Sequence, residues 1–129
     1  MLLRKLMSRL GIGSAQIDLI LPKKTYKPGE RVQGYFLIKG GTVEQKLKRI
    51  ECDLVMIDRS KGKKKIIDSG TVLSSRVIFS EELNKISFTF NLPTSIQVST
   101  EDISYYFKTK LIFNEGVESR DQDIIQIFY

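Results

Sequence analysis

The 129-residue chain has no histidine and no tryptophan, and it has only one cysteine and three prolines. Without histidine it lacks the usual general base, the commonest metal ligand and every Ser-His-Asp arrangement. One cysteine closes no intrachain disulfide and builds no zinc ribbon, which agrees with a cytosolic address. Cys52 falls in the alternating series Ile50, Cys52, Leu54, Met56 and reads as a small core residue, with no imidazole to activate its thiol. No apolar run approaches the length of a membrane span. The basic N-terminus lacks the continuous apolar stretch of a secretory signal, so none is expected. Gly11-Ile12-Gly13 is no phosphate loop, because no strand precedes it and no lysine follows in place. Internal repeats, low-complexity tracts and the βαβ alternation of a parallel sheet are all missing.

What remains suits one soluble domain, 41% hydrophobic and large enough to bury a core without metals or disulfides. Its charge is divided unevenly. Residues 1–65 carry 16 Lys and Arg against 6 Asp and Glu, and residues 66–129 carry 5 against 9, so +10 and −4 make the net +6. A basic half of this kind suits an anionic partner or an anionic membrane surface, and equally serves solubility.

The spacing of the first residues predicts a short amphipathic helix over 1–11, followed by a β domain over 12–129. Leu3, Leu6, Met7 and Leu10 share one face, with Arg4, Lys5, Ser8 and Arg9 opposite and Gly11 as the stop. So short a helix is marginal alone and must bury its apolar face against something.

Beyond Gly13 the chain alternates as strands do. Ile17, Leu19 and Leu21 form a first run, ended by Pro22. Tyr26-Lys27-Pro28-Gly29-Glu30 is a turn in which Pro28 fixes φ and Gly29 takes the positive φ of a type II turn. Strands are expected over about 31–39 and 43–57, and then a polar tip over 59–65 with Gly62. The chain returns over 65–79 with a break near Ser69-Gly70. In Ile86-Ser87-Phe88-Thr89-Phe90-Asn91-Leu92-Pro93 the apolar residues point one way, until Pro93 stops the ladder. Residues 103–113 alternate again, a polar loop covers 114–121, and Ile124, Ile125, Ile127 and Phe128 form the last strand. Seven or eight strands with turns between them predict an all-β, antiparallel β-sandwich.

Together, in this order, the Tyr26–Glu30 turn with Val32-Gln33-Gly34 and the Phe88-Thr89-Phe90 run with Leu92-Pro93 resemble the arrestin-like N-terminal domain. The likeness is strongest to its bacterial sporulation-control branch. Gly11 to Ala15, Ile38-Lys39-Gly40-Gly41, Val43-Glu44-Gln45 and Asp121-Gln122-Asp123-Ile124 extend it over nearly the whole chain. The resemblance implies an immunoglobulin-like, arrestin-type sandwich serving as a cytosolic adaptor or regulator without catalytic residues. Arrestin-like proteins usually pair two sandwiches, and this chain ends where the first would end. The charged polar core of visual-type arrestins finds no match.

No catalytic, cofactor or metal site is expected. Glu81-Glu82, Glu101-Asp102 and Asp121/Asp123 are acidic pairs beside turns. The last is a D-x-D that offers hard oxygen ligands, but it lacks the other ligands and the glycine of a calcium loop. Binding is expected at three surfaces. Leu3, Leu6, Met7 and Leu10 with Arg4, Lys5 and Arg9 either cover an exposed part of the sandwich or anchor the chain at an anionic membrane. Arg59, Lys61, Lys63, Lys64 and Lys65 form a basic tip for an acidic partner, or a solvated hairpin end. No aromatics interleave with these lysines, so nucleic acid is not expected. A free sheet edge offers itself to an extended peptide or to a second copy, and self-association is expected. The leading expectation is a protein-binding adaptor in the cytoplasm, and the alternative is a peripheral membrane module.

Overall fold

A computed structural model describes residues 14–114, 116 and 118–129. The helix expected over residues 1–11, with its candidate face of Leu3, Leu6, Met7, Leu10, Arg4, Lys5 and Arg9, lies outside the described residues. The described residues are all strand, turn and loop. The strands are β1 Gln16–Ile20, β2 Thr25–Tyr26, β3 Arg31–Lys39, β4 Gln45–Asp58, β5 Lys63–Leu73, β6 Val77–Ile78, β7 Leu83–Asn91, β8 Ile103–Phe113 and β9 Glu118–Ile127.

Two sheets form. The smaller is ordered β1-β3-β7 and the larger β2-β9-β8-β4-β5, with β6 also pairing β4. Pairing is antiparallel except between β2 and β9, where Thr25 and Tyr26 run parallel to Gln126 and Ile127. The smaller sheet is therefore antiparallel throughout, and the larger is mixed, against the purely antiparallel expectation. The reason is that the turn at Lys27–Glu30 returns the chain to the other sheet, leaving only a two-residue contact on this one.

Alternation sorts each strand into a buried and an exposed face. Ile17 and Leu19 of β1, Val32, Phe36 and Ile38 of β3, and Phe88 and Phe90 of β7 meet Ile50, Cys52, Leu54, Phe107, Leu111 and Ile125 of the larger sheet in one core. Two ring pairs cross between the layers, and a third joins neighbouring strands of the smaller sheet. Phe107 lies edge-on to both Phe88 and Phe90, at 5.4 and 5.2 Å between centroids, and Phe36 lies edge-on to Phe88 at 5.1 Å. Such pairs add about 0.5–1.5 kcal/mol each beyond their area burial.

The two sequence motifs sixty residues apart meet in space. The Glu30 N–H donates to the Lys27 carbonyl at 3.0 Å, and Gly29 takes φ +79°, as the type II turn requires. The Gly29 N–H then donates to the Pro93 carbonyl at 3.2 Å, and the Leu92 N–H to the Glu30 carbonyl at 3.0 Å. Pro93 thus ends β7 where its carbonyl is needed by the turn. A Cβ on Gly29 would come within 3.1 Å of Thr94 Cγ2, so both φ and space hold glycine there.

Three boundaries differ from expectation. Strand β5 runs unbroken through Ser69 and Gly70, and the break comes instead at residues 74–76. Gly70 pairs opposite Cys52 within the ladder, and the irregularity in β5 is a bulge that skips Ile67. Strand β9 begins at Glu118, so the expected loop at 114–121 is half strand. Its Ser119 and Asp121 pair opposite Leu111 and Thr109. Lys63, Lys64 and Lys65 belong to the start of β5, and the turn proper is residues 59–62.

Candidate functional site

Because β9 alternates, placing Ile125 and Ile127 in the core also turns Asp123, Asp121 and Ser119 inward at the margin of the larger sheet. There they meet β1, the edge of the smaller sheet. The Ile17 N–H donates to Ser119 Oγ at 3.3 Å, and the Leu19 N–H to Asp121 Oδ2 at 2.9 Å. Side chains of one sheet thus satisfy the outward backbone donors of the other, which would otherwise be an unpaired edge.

Asp18 completes a carboxylate cluster. Oxygens of Asp18, Asp121 and Asp123 all lie within 4.8 Å of one another. Asp123 Oδ2 is sealed from solvent and has no hydrogen-bond partner among the described residues. Its near neighbours are carboxylates, so a bond within the cluster needs a shared proton. Burial first, then the hydrogen bond and charge of Asp121, with Asp18 adding to them, push the Asp123 carboxyl up to about 7. The Lys24 ammonium pulls the other way. Burial and Asp121 raise Asp18 as well. Like charges this close do not all ionise at neutral pH.

The cluster borders an open cleft of about 670 Å³, lined by Asp18, Leu19, Lys24, Gln122, Asp123 and Ile124 among others. Three carboxylate oxygens are half or fewer of the six to eight that calcium takes. The arrangement stores a proton and closes a seam between sheets. The D-x-D of Asp121 and Asp123 was legible in the sequence. Asp18 and Lys24 were not, because only the packing of β1 against β9 brings them to it.

Cys52 sits behind the seam. The Thr109 hydroxyl donates to its sulfur at 3.6 Å, and burial pushes its thiol up to about 12. That is an inert core thiol, as its place in the alternation predicts.

The basic residues occupy the opposite margin. Arg59 is in the turn; its N–H donates to the Asp102 carbonyl and its Nη1 to Ser104 Oγ at 3.2 Å. Lys61 donates its backbone N–H to Asp58 Oδ1, which the Ser60 hydroxyl also caps. That capping, with the Ser60 hydroxyl foremost, holds the Asp58 carboxyl below its usual range. Lys63, Lys64 and Lys65 lead into β5, and all three are exposed. Lys64 Nζ lies 5.9 Å from the centre of the Tyr106 ring. The structure therefore groups Lys63–Lys65 on an outermost strand, whereas Arg59 and Lys61 belong to the turn before it.

Comparison with known proteins then places this arrangement. The model of the family described as SpoOM protein matches residues 3–128. The chain belongs to that family. It is 34% identical over 128 residues to the sporulation-control protein spo0M of Bacillus subtilis (strain 168), covering 95% of this chain and 50% of that protein. The crystal structure of Spo0M from Bacillus subtilis superposes with a TM-score of 0.81 at 31% identity, over 92% of this chain and 51% of that one. The chain thus spans about half the length of these relatives. A superoxide reductase (neelaredoxin) from Ignicoccus hospitalis shares the fold alone, with a TM-score of 0.54 at 12% identity over 96% of this chain and 87% of that one. Among the described residues no helix is long and apolar enough to cross a membrane.

Proposed function

We propose that this chain is an arrestin-type, immunoglobulin-like module that acts in sporulation control by protein contact and is not an enzyme. The observation that carries this reading is the family match over residues 3–128, joined to a two-sheet frame whose outermost strand β5 begins with three exposed lysines. The resemblance of the Tyr26–Glu30 and Phe88–Pro93 motifs to arrestin-like domains supports the sandwich type. The cytoplasm is the compartment in which such a module would work. A peripheral membrane role is the second reading, favoured by one feature. Lys63, Lys64 and Lys65 have no ion-pair partner among the described residues and are open to anionic headgroups.

One paired experiment separates the two. A photo-crosslinking residue is placed at the exposed Ile66 in the full chain and irradiated in sporulating cells, and the same protein is floated with phosphatidylglycerol vesicles. The adaptor reading expects a discrete cross-linked protein, lost when Lys63, Lys64 and Lys65 are changed to Glu, and no flotation. Salt-sensitive flotation without a cross-linked protein would overturn it in favour of the membrane.

A further inference from the structure

The margin opposite the carboxylate seam is built in another way. There β5 and β7 are the last strands of their sheets, and among the described residues no strand closes the gap between them. The gap holds a slot of about 130 Å³ that reaches down to Phe36, Ile50, Cys52, Phe88 and Phe90, with Gly70 at its rim. Gly70 explains the slot. It stands opposite Cys52 on the inward face, where a side chain would fill the space. Neither its backbone nor its surroundings demand glycine. Its φ is not positive, and an added Cβ would meet only the Cys52 carbonyl oxygen at 3.9 Å, an ordinary contact. A glycine in mid-strand that the fold does not need leaves room for the close approach of another chain.

Five residues back along β5, beyond the skipped Ile67, stand the exposed lysines Lys63, Lys64 and Lys65. Among the described residues β5 therefore presents unpaired backbone, an inward slot near one end and positive charge at the other. We infer that β5 is a strand-addition site for an extended acidic peptide. One apolar side chain of the peptide enters the slot beside Gly70, and its carboxylates lie along Lys63–Lys65. Main-chain bonds to the β5 edge would supply affinity, and the slot and lysines specificity. At about 3.3 Å per residue, an antiparallel peptide carries its acidic residues five to seven positions after the apolar anchor. Charge argues for such a partner over a second copy, because another β5 laid across these lysines would set like charges opposite one another. The inference rests on the protein-contact reading above and names the chemistry of the contact.

The test uses the full chain and a fluorescein-labelled peptide, Thr-Val-Thr-Val-Thr-Thr-Glu-Asp-Glu, with a control whose last three residues are Lys. Anisotropy is expected to show saturable binding of the acidic peptide, at least tenfold tighter than the control and weakening with salt. Gly70→Val fills the slot and is expected to weaken binding at least tenfold while melting no lower than the parent. Joint Lys63→Glu, Lys64→Glu and Lys65→Glu is expected to do the same by charge. If Gly70→Val proves unstable, amide exchange of the unaltered protein decides, since bound peptide must slow exchange along 63–73 and not along β1. Binding that ignores both variants, no binding, or a dimer by light scattering that occupies the same edge would each overturn the proposal. A cross-link at Ile66 that survives while the peptide fails would sink the acidic-strand inference and leave the adaptor reading standing.

Discussion

The two long margins of the molecule solve one problem in opposite ways. Along β1 and β9 the gap between sheets is polar and bridged by hydrogen bonds, because inward Ser119 and Asp121 take the Ile17 and Leu19 N–H groups. The open cleft lies outside these bonds, and Asp123 turns one carboxylate oxygen, Oδ2, away from solvent. Along β5 and β7 the gap is apolar and open, and the rings of Phe88 and Phe90 form its floor. The difference teaches where each margin keeps its cost. The bridged side holds carboxylates too close together, a burden that grows as they ionise. The open side forgoes the contacts that a side chain at Gly70 would make. One margin is sensitive to protons, and the other is sensitive to what fills it.

Four measurements sharpen or break that contrast. Phe88→Ala removes a ring that touches Phe36, Phe90 and Phe107 and opens the slot into the core. Chemical denaturation is expected to show a loss of about 3–5 kcal/mol; a loss under 1 would mean that the open margin is not coupled to the core. Asp121→Ala strips the acceptor from the Leu19 N–H, and the expected cost at pH 5 is about 1–3 kcal/mol. No loss there would mean that the bridged margin is not held by that bond.

The third measurement is of pH. Asp123 is raised in the folded state, so the native protein holds a proton that the unfolded chain has released. Its contribution to stability is complete below the ordinary aspartate range near 4 and is lost as pH rises through about 7. Melting temperature should fall across that window, and Asp123→Asn should flatten the fall. At pH 8 the variant should gain roughly 1 kcal/mol, or about 4 °C. An unchanged slope would show that the cluster does not share a proton. The smallest effect is that of Gly70→Val alone, a stabilisation of about 0.5–1 kcal/mol from filling the slot and stiffening the strand. A loss of stability would mean that the slot is not the empty space described.

The alternation of apolar residues was enough to place β3 and β8 at their observed limits, and the Pro28-Gly29 dipeptide to place the type II turn. It failed where a strand broke its own rule. Gly70 looks like a breaker, yet it remains in the ladder because Cys52 holds the position opposite. Ser119, Asp121 and Asp123 look like loop, yet they point inward to serve β1, a partner a hundred residues away that no local pattern announces. Asp18 has the same history, as an ordinary outward polar residue until β9 arrives beside it. The basic residues were legible as a cluster. Their division between a turn and an edge strand was not, because charge carries no period.

The bonds between β1 and β9 also set an order of events during synthesis. The Ile17 and Leu19 N–H groups wait for Ser119 and Asp121, each 102 residues later in the chain. Strand β1 is thus completed only by β9, which is synthesised long after it. Until β9 emerges, a nascent chain carries a bare, adhesive β1 margin, and the arrival of β9 makes it safe from its neighbours.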